Sequence, residues 1–111
     1  MLKHIILWDY ADGLSDAEKP RIGADIKSAL EGLLGQIPGL LEISVVLDPL
    51  PSSSAELALY SVFTDEAALA AYQTHSAHQY AANTFVRPFT KNRKCIDFLV
   101  ESRGAHCASE D

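Results

Sequence analysis

The first strand of the chain has apolar residues on both of its faces, and this limits the possible folds more than any other feature. Residues 2–9 read Leu-Lys-His-Ile-Ile-Leu-Trp-Asp, and successive side chains of a strand point to opposite faces. One face therefore receives Leu2, His4, Ile6 and Trp8. The other face receives Ile5 and Leu7. Such a strand belongs in a sheet that is covered on both sides.

Apolar periodicity predicts three more strands and a long first helix. The strands cover about 41–48, 56–63 and 94–100. Steps of three and four residues define the apolar stripe of the helix: Ile22, Ile26, Ala29, Leu30, Leu33, Leu34 and Ile37. Ser15-Asp16-Ala17-Glu18 has the form of a capping box that opens this helix, and Pro38-Gly39 ends it.

A second helical region follows the third strand. Thr64-Asp65-Glu66 supplies an N-cap and an acidic first turn for a helix that runs to about His75. Ser76 and Gln79 have capping-box spacing, which predicts a further short helix over roughly 77–87. The order β-α-β-β-α-(α)-β predicts a ferredoxin-like α+β domain, in which helices cover one face of an antiparallel four-stranded sheet.

The other face of that sheet needs a partner. At ~25 cal/mol per Å² of apolar area, pairing two such faces could contribute on the order of 10 kcal/mol before association entropy is subtracted. A chain of 111 residues is a single domain near the size at which self-association is common. We therefore expect a homodimer of a domain over 1–100, followed by a small and polar tail over 101–111.

Charge and composition argue against several kinds of partner. Nine Lys and Arg against fifteen Asp and Glu give a net charge of -6, and the longest basic run is only Lys91-Asn92-Arg93-Lys94, so nucleic acid is not an expected partner. The apolar start is too short for a signal peptide or a membrane span, which favours a cytoplasmic location without a membrane partner. Cys95 and Cys107 form neither a disulfide framework nor a zinc signature, and Cys95 is expected to be a buried small hydrophobe.

Proton-transfer groups are concentrated in one segment, Tyr72-Gln-Thr-His75-Ser-Ala-His78. Spacings of three residues place these groups on one side of a helical region. His78 would lie in a first turn, where the helix dipole favours the neutral imidazole. His4 shares its strand face with Ile6 and Trp8, which makes that face the better candidate for an apolar pocket with a few polar groups.

The chain resembles the dimeric α+β barrel family, also called the stress-responsive A/B barrel domain (Dabb). Five segments over about residues 2–100 carry the resemblance: Lys3-His4-Ile5-Ile6-Leu7, Ile37-Pro38-Gly39, Leu57 to Phe63, Tyr72-x-x-His75-x-x-His78 and Arg93 to Phe98. The family usually has proline between the two histidines, where this chain has Ser76. The resemblance implies a dimeric barrel.

The family includes a plant polyketide cyclase that closes a poly-β-keto chain by an intramolecular aldol step. Its residues matching His78 and Tyr72 act as base and carbonyl-polarising phenol, and the residue matching His4 lines the pocket. The resemblance therefore implies cofactor-free, metal-free aldol-type cyclisation or enolisation of a polyketide-like carbonyl compound. The catalytic residues would be His78 and Tyr72, and the substrate-binding residues would be His4, Ile6, Trp8 and His75.

Three alternatives remain open at this point. The histidines can be structural, with His75 capping a helix, in a non-catalytic stress-associated protein that binds small apolar molecules. The barrel can also serve a monooxygenase, for which Trp8 is the only supporting residue. A metal site of His4, His75 and His78 is a weaker reading, because the motif contains no carboxylate.

Overall fold

The structure, a computed structural model, describes residues 1–101 and consists of one sheet with helices on one face. The strands are β1 (Leu2–Tyr10), β2 (Leu40–Val46), β3 (Leu57–Phe63) and β4 (Thr90–Leu99). The helices are α1 (Lys19–Glu31), α2 (Glu66–Thr74) and α3 (Ser76–Ala81), and a π-helical turn (Ala82–Val86) and a 3₁₀ turn (Arg87–Phe89) follow them. All pairings are antiparallel and the strand order is β2-β3-β1-β4, so the ferredoxin-like α+β prediction is confirmed. The predicted tail lies outside the described residues, apart from Glu101.

The strand β1 lies in the middle of the sheet, between β3 and β4. Its helix-facing side chains are buried, as the alternation predicts: Leu2, His4, Ile6 and Trp8. Residues Ile22, Ile26 and Leu30 of α1 are buried in the same core. On the opposite face of the sheet, Leu7 keeps 37% of its surface exposed.

The apolar stripe predicted for the first helix is wrong at one position, and β2 departs from a strict alternation at another. The helix α1 ends at Glu31, and the turns that follow bury Leu33 but leave Leu34 50% exposed. In β2, a register shift between Leu40 and Glu42 buries Leu40 and leaves Leu41 48% exposed. A bulge adds a residue to one strand and reverses the face of its neighbours, which a strict alternation cannot anticipate.

One capping box forms as predicted and the other does not. The Ser15 amide donates to Glu18 Oε1 (3.0 Å) and the Glu18 amide donates to Ser15 Oγ (3.2 Å), one turn before α1. At α3 the N-cap is His75 rather than Ser76. The Gln79 side chain does not return to the cap, because it donates to the Gln73 carbonyl (2.5 Å).

The sheet face opposite the helices is apolar and open. Its exposed side chains include Leu7, Val46, Ile96 and Phe98. The expectation that Cys95 is buried is wrong, because β4 is an edge strand whose residues from Lys91 to Leu99 are all exposed in the protomer. Among the described helices, none has the length and apolarity needed to cross a bilayer.

Candidate functional site

A cavity of about 220 Å³ lies between the sheet and the helical region after α2. Its apolar wall consists of Ile6, Trp8, Leu30, Leu59, Ala82 and Val86. Three groups able to transfer protons or donate hydrogen bonds line the same space: His4 from β1, Tyr72 from α2 and His78 from α3. The structure thus brings together five of the six residues that the sequence predicts for the site, from both walls of one subunit.

Tyr72 is a fully buried polar residue that lines the cavity. The residue is 1% exposed, and its hydroxyl has no hydrogen-bond partner among the described residues. Burial raises the pKa of the phenol well above its ordinary value of 10, because the charged form would be poorly solvated. Tyr72 therefore stays protonated over the physiological range and has a hydrogen bond to donate to a ligand.

His78 lies against Tyr72 and is half-buried. The two ring centroids are 4.1 Å apart, and His78 Nδ1 lies 3.4 Å from the Gln73 carbonyl oxygen. Because a carbonyl can only accept, this contact assigns the proton to Nδ1 and the lone pair to Nε2. Burial lowers the pKa of His78; the hydrogen bond to Gln73 opposes this, and the positive charge of Arg87 adds to the lowering. A neutral imidazole with a free lone pair can act as a base near pH 7.

His4 is held by a carboxylate from the neighbouring strand. Its Nδ1 donates to Asp97 Oδ1, and the two residues are direct partners in the β1–β4 register. The His4 carbonyl accepts from the Ser61 hydroxyl at 2.8 Å, and the ring lies 6.2 Å from that of Tyr72. A carboxylate on one ring nitrogen fixes the orientation and tautomer of an imidazole, so His4 presents a defined edge to the cavity.

Comparison with known proteins identifies the family. The model of the Stress responsive A/B Barrel Domain (Dabb) matches residues 2–100. The chain belongs to this family. No curated protein matches the sequence. A dimeric protein of unknown function and ferredoxin-like fold from Bacteroides fragilis is 30% identical, with a TM-score of 0.79 over 87% of this chain and 93% of that chain.

More distant structures share the fold of this Dabb domain. A hydroxynitrile lyase from Passiflora edulis is 19% identical, with a TM-score of 0.67 over 91% of this chain and 94% of its own. An antibiotic biosynthesis monooxygenase is 13% identical, with a TM-score of 0.67 over 91% and 99% of the two chains. These likenesses extend to the fold only.

His75 does not line the cavity of the Dabb domain, although the sequence places it among the substrate-binding residues. Its backbone is extended between α2 and α3, and its Nδ1 accepts from the Ala77 amide at 3.0 Å. The imidazole of His75 is the N-cap side chain of α3, a role that the sequence assigns to Ser76. His75 therefore has a structural position at the helix junction.

One group of side chains in residues 1–101 could hold a metal ion, and it differs from the three histidines weighed above. Ligand atoms of His4, Cys95 and Asp97 all lie within 4.8 Å of one another. Cys95 Sγ is 3.7 Å from His4 Nδ1 and 3.6 Å from Asp97 Oδ1. Imidazole, thiolate and carboxylate are ligands that zinc accepts. The His4–Asp97 hydrogen bond also satisfies the imidazole and the carboxylate without a metal.

Asp97 is the residue that sequence reasoning missed. It is the only acidic residue in the apolar run 94–100, which is the signal that marks it. A charged side chain inside such a strand needs a partner, but periodicity does not give the register between two strands. The structure supplies that register and identifies the partner as His4.

Proposed function

We propose that this Dabb domain is a cofactor-free enzyme that enolises a carbonyl compound, with aldol-type cyclisation of a polyketide-like substrate as the reaction class. His78 is the base and Tyr72 is the oxyanion donor. One observation carries the proposal: the buried Tyr72 hydroxyl has no partner in residues 1–101 and lies in an apolar cavity beside a neutral imidazole. Buried polar groups normally have partners, so this hydroxyl is suited to a ligand oxygen.

The chemistry needs only these two groups and the substrate. His78 Nε2 removes a proton from the carbon next to a carbonyl, and the electron pair moves to the carbonyl oxygen as an enolate. Tyr72 donates a hydrogen bond to that oxygen where negative charge develops. The enolate carbon then attacks a second carbonyl of the same chain, a carbon–carbon bond forms, and the imidazolium returns the proton to the new alkoxide. General base catalysis of this kind typically contributes ~10²–10⁴-fold.

His4 has a positioning role in this scheme. Asp97 fixes its ring, and the ring edges contact Tyr72 and Phe63 at centroid distances of 6.2 Å. The apolar residues Ile6 and Trp8 would hold the hydrocarbon part of the substrate. The fold is compatible with lyase chemistry, since one structural neighbour is named a hydroxynitrile lyase.

Exchange of α-protons tests the first step directly. The purified protein is incubated in deuterium oxide with an aryl methyl ketone, and loss of the methyl proton signal is followed by NMR. We expect exchange above the buffer rate that falls at least ~10²-fold in His78→Gln and Tyr72→Phe. His75→Gln is the matched control, because this histidine lies off the cavity. Equal exchange in all four proteins would disprove the assignment.

A non-catalytic binding protein is the second candidate, because the apolar wall alone suffices to hold a small molecule. Binding of the ketone without exchange, undiminished in His78→Gln, would favour it. The monooxygenase alternative rests on a likeness of fold alone.

We also propose that the functional unit is a homodimer joined through the open sheet face. Exposed Leu7, Ile96 and Phe98 lie on that same face of β1 and β4, and similar structures are described as dimeric. Light scattering after size exclusion tests this. Ile96→Asp should give a monomer, because the carboxylate would be buried unpaired. Leu50→Asp, in a loop where Leu50 is 75% exposed, should stay dimeric. A dimeric Ile96→Asp protein would contradict this interface.

A further inference from the structure

The mouth of the cavity has a charge opposite to that of the whole chain. Three of the nine basic residues line the cavity, namely Arg87, Lys91 and Arg93, and no Asp or Glu does so among residues 1–101. The chain as a whole carries a net charge of -6. A cationic rim on an acidic protein concentrates anions at that point.

Two of the three cations form no ion pair with a carboxylate among residues 1–101. Lys91 Nζ lies 2.5 Å from Asp12 Oδ1 and is paired. Arg87 donates to the neutral amide oxygen of Asn83, and neither it nor Arg93 forms an ion pair within the described part of the chain. Both guanidinium groups line the same cavity as His78, whose pKa their positive charges help to lower. Arg93 also interacts with the Cys95 thiol, and the N–H groups that neither contact uses can be donated to an acceptor.

A β-bulge directs Arg93 toward the cavity. The β1–β4 register shifts between Leu7 and Asp9, so that Asn92 and Arg93 of β4 lie opposite the single residue Trp8. Asn92 adopts a φ of 56°, in the left-handed region that asparagine tolerates better than most residues, and its amide donates to Asp9 Oδ2 at 3.0 Å. The extra residue places Arg93 on the same face as Cys95 and Asp97. Bulges next to sites commonly redirect a side chain in this way.

We propose that the cavity takes a carbonyl compound that also carries a carboxylate, with the carbonyl at Tyr72 and the carboxylate held by Arg87 and Arg93 at the mouth. This inference rests on the proposed function and adds the class of substrate. Guanidinium groups match a carboxylate geometrically because their donors form a planar fork. The two ends of the substrate are then fixed separately, which orients the α-carbon toward His78.

A matched pair of probes isolates the charge. Para-acetylbenzoate and para-acetylbenzamide have the same ring and ketone and differ only in a carboxylate against a neutral amide of the same shape. We expect calorimetric titration to give about ten-fold tighter binding of the acid at low ionic strength, since two partly exposed ion pairs each contribute a factor of up to about 5. The preference should shrink as salt is added.

Substitution of the two arginines identifies the groups responsible for the preference for the acid. Arg87→Gln and Arg93→Gln should each reduce the preference for the acid, and the double variant should bind both probes equally. Arg21→Gln is the control, because Arg21 lies on α1 outside this cavity and pairs with Asp25 at 3.6 Å. Equal affinity for the two probes in the wild type would overturn the inference, and so would a preference that survives the double variant.

Two measurements on the same pair of probes separate this inference from the proposed function. Affinity reports the charge, whereas α-proton exchange of the two probes reports the chemistry. His78-dependent exchange with no preference for the acid would remove the carboxylate site and leave the enzyme. A preference for the acid without His78-dependent exchange would leave the carboxylate site and remove the enzyme.

Discussion

Replacing Tyr72 with phenylalanine should separate stability from function in this Dabb domain. The substitution removes one oxygen and keeps the ring, whose centroid lies 4.9 Å from that of Phe63 and 4.1 Å from that of His78. No hydrogen bond to another described residue is lost, because the hydroxyl has none. The folded state therefore gives up packing contacts of a single atom.

The expected magnitude follows from what the hydroxyl does. A typical intramolecular hydrogen bond contributes about 1 kcal/mol, and a buried polar group without a partner costs about 1–3 kcal/mol. Tyr72→Phe should thus leave the free energy of unfolding unchanged or raise it by up to about 2 kcal/mol. In a domain of this size each kcal/mol corresponds to about 4 °C in Tm. Turnover should fall by ~10²–10³-fold, the usual loss on removing one oxyanion donor.

Thermal unfolding at fixed protein concentration tests the predicted stability, and the α-proton exchange assay tests the predicted loss of turnover. Tyr80→Phe is the matched control, because Tyr80 is 66% exposed and should leave Tm and exchange unaltered. A fall in Tm of more than about 4 °C in Tyr72→Phe would mean that the hydroxyl stabilises the fold. If exchange also stayed at the wild-type rate, Tyr72 would be a structural residue.

Two further predictions concern the histidines. Because burial lowers the pKa of His78, α-proton exchange should rise with pH with an apparent pKa below 6.5, and this rise should vanish in His78→Gln. An apparent pKa above 6.5 would contradict the burial argument. The folded state disfavours protonated His78, so the contribution of this residue to stability is present above pH 6.5 and is lost as the pH falls through its lowered pKa in the folded state. Urea unfolding of the wild type and of His78→Gln at several pH values measures this loss. Asp97→Asn should lower the free energy of unfolding by about 1 kcal/mol, a value reduced because the Asp97 side chain is 37% exposed. The substitution should also slow α-proton exchange, because His4 loses the group that orients it. An unchanged urea midpoint (Cm) would show that the His4–Asp97 pair contributes nothing to stability.

Local periodicity is sufficient to predict the cavity residues on the central strand. His4, Ile6 and Trp8 share a buried face because β1 is regular where they lie. Tyr72 and His78 also line the cavity, but from two helices that the extended backbone of His75 separates, so continuous helical spacing is not what brings them together. The helix junction was harder, since both Ser76 and His75 can accept a backbone amide, and the structure uses the imidazole of His75. Spacing alone does not decide between two competent caps.

The side chains that β4 brings to the cavity side of the sheet could not be predicted in the same way. Asp97, Cys95 and Arg93 face the cavity side only because one bulge at Asn92 and Arg93 sets their register against β1. A strict alternation from Lys91, which pairs with Asp9, would have put Arg93 on the open sheet face. The bulge thus sets the partner of His4 and the face of Arg93, whereas Arg87 and Lys91 line the cavity independently of it. The substrate class proposed for this domain therefore depends in part on the register of an edge strand.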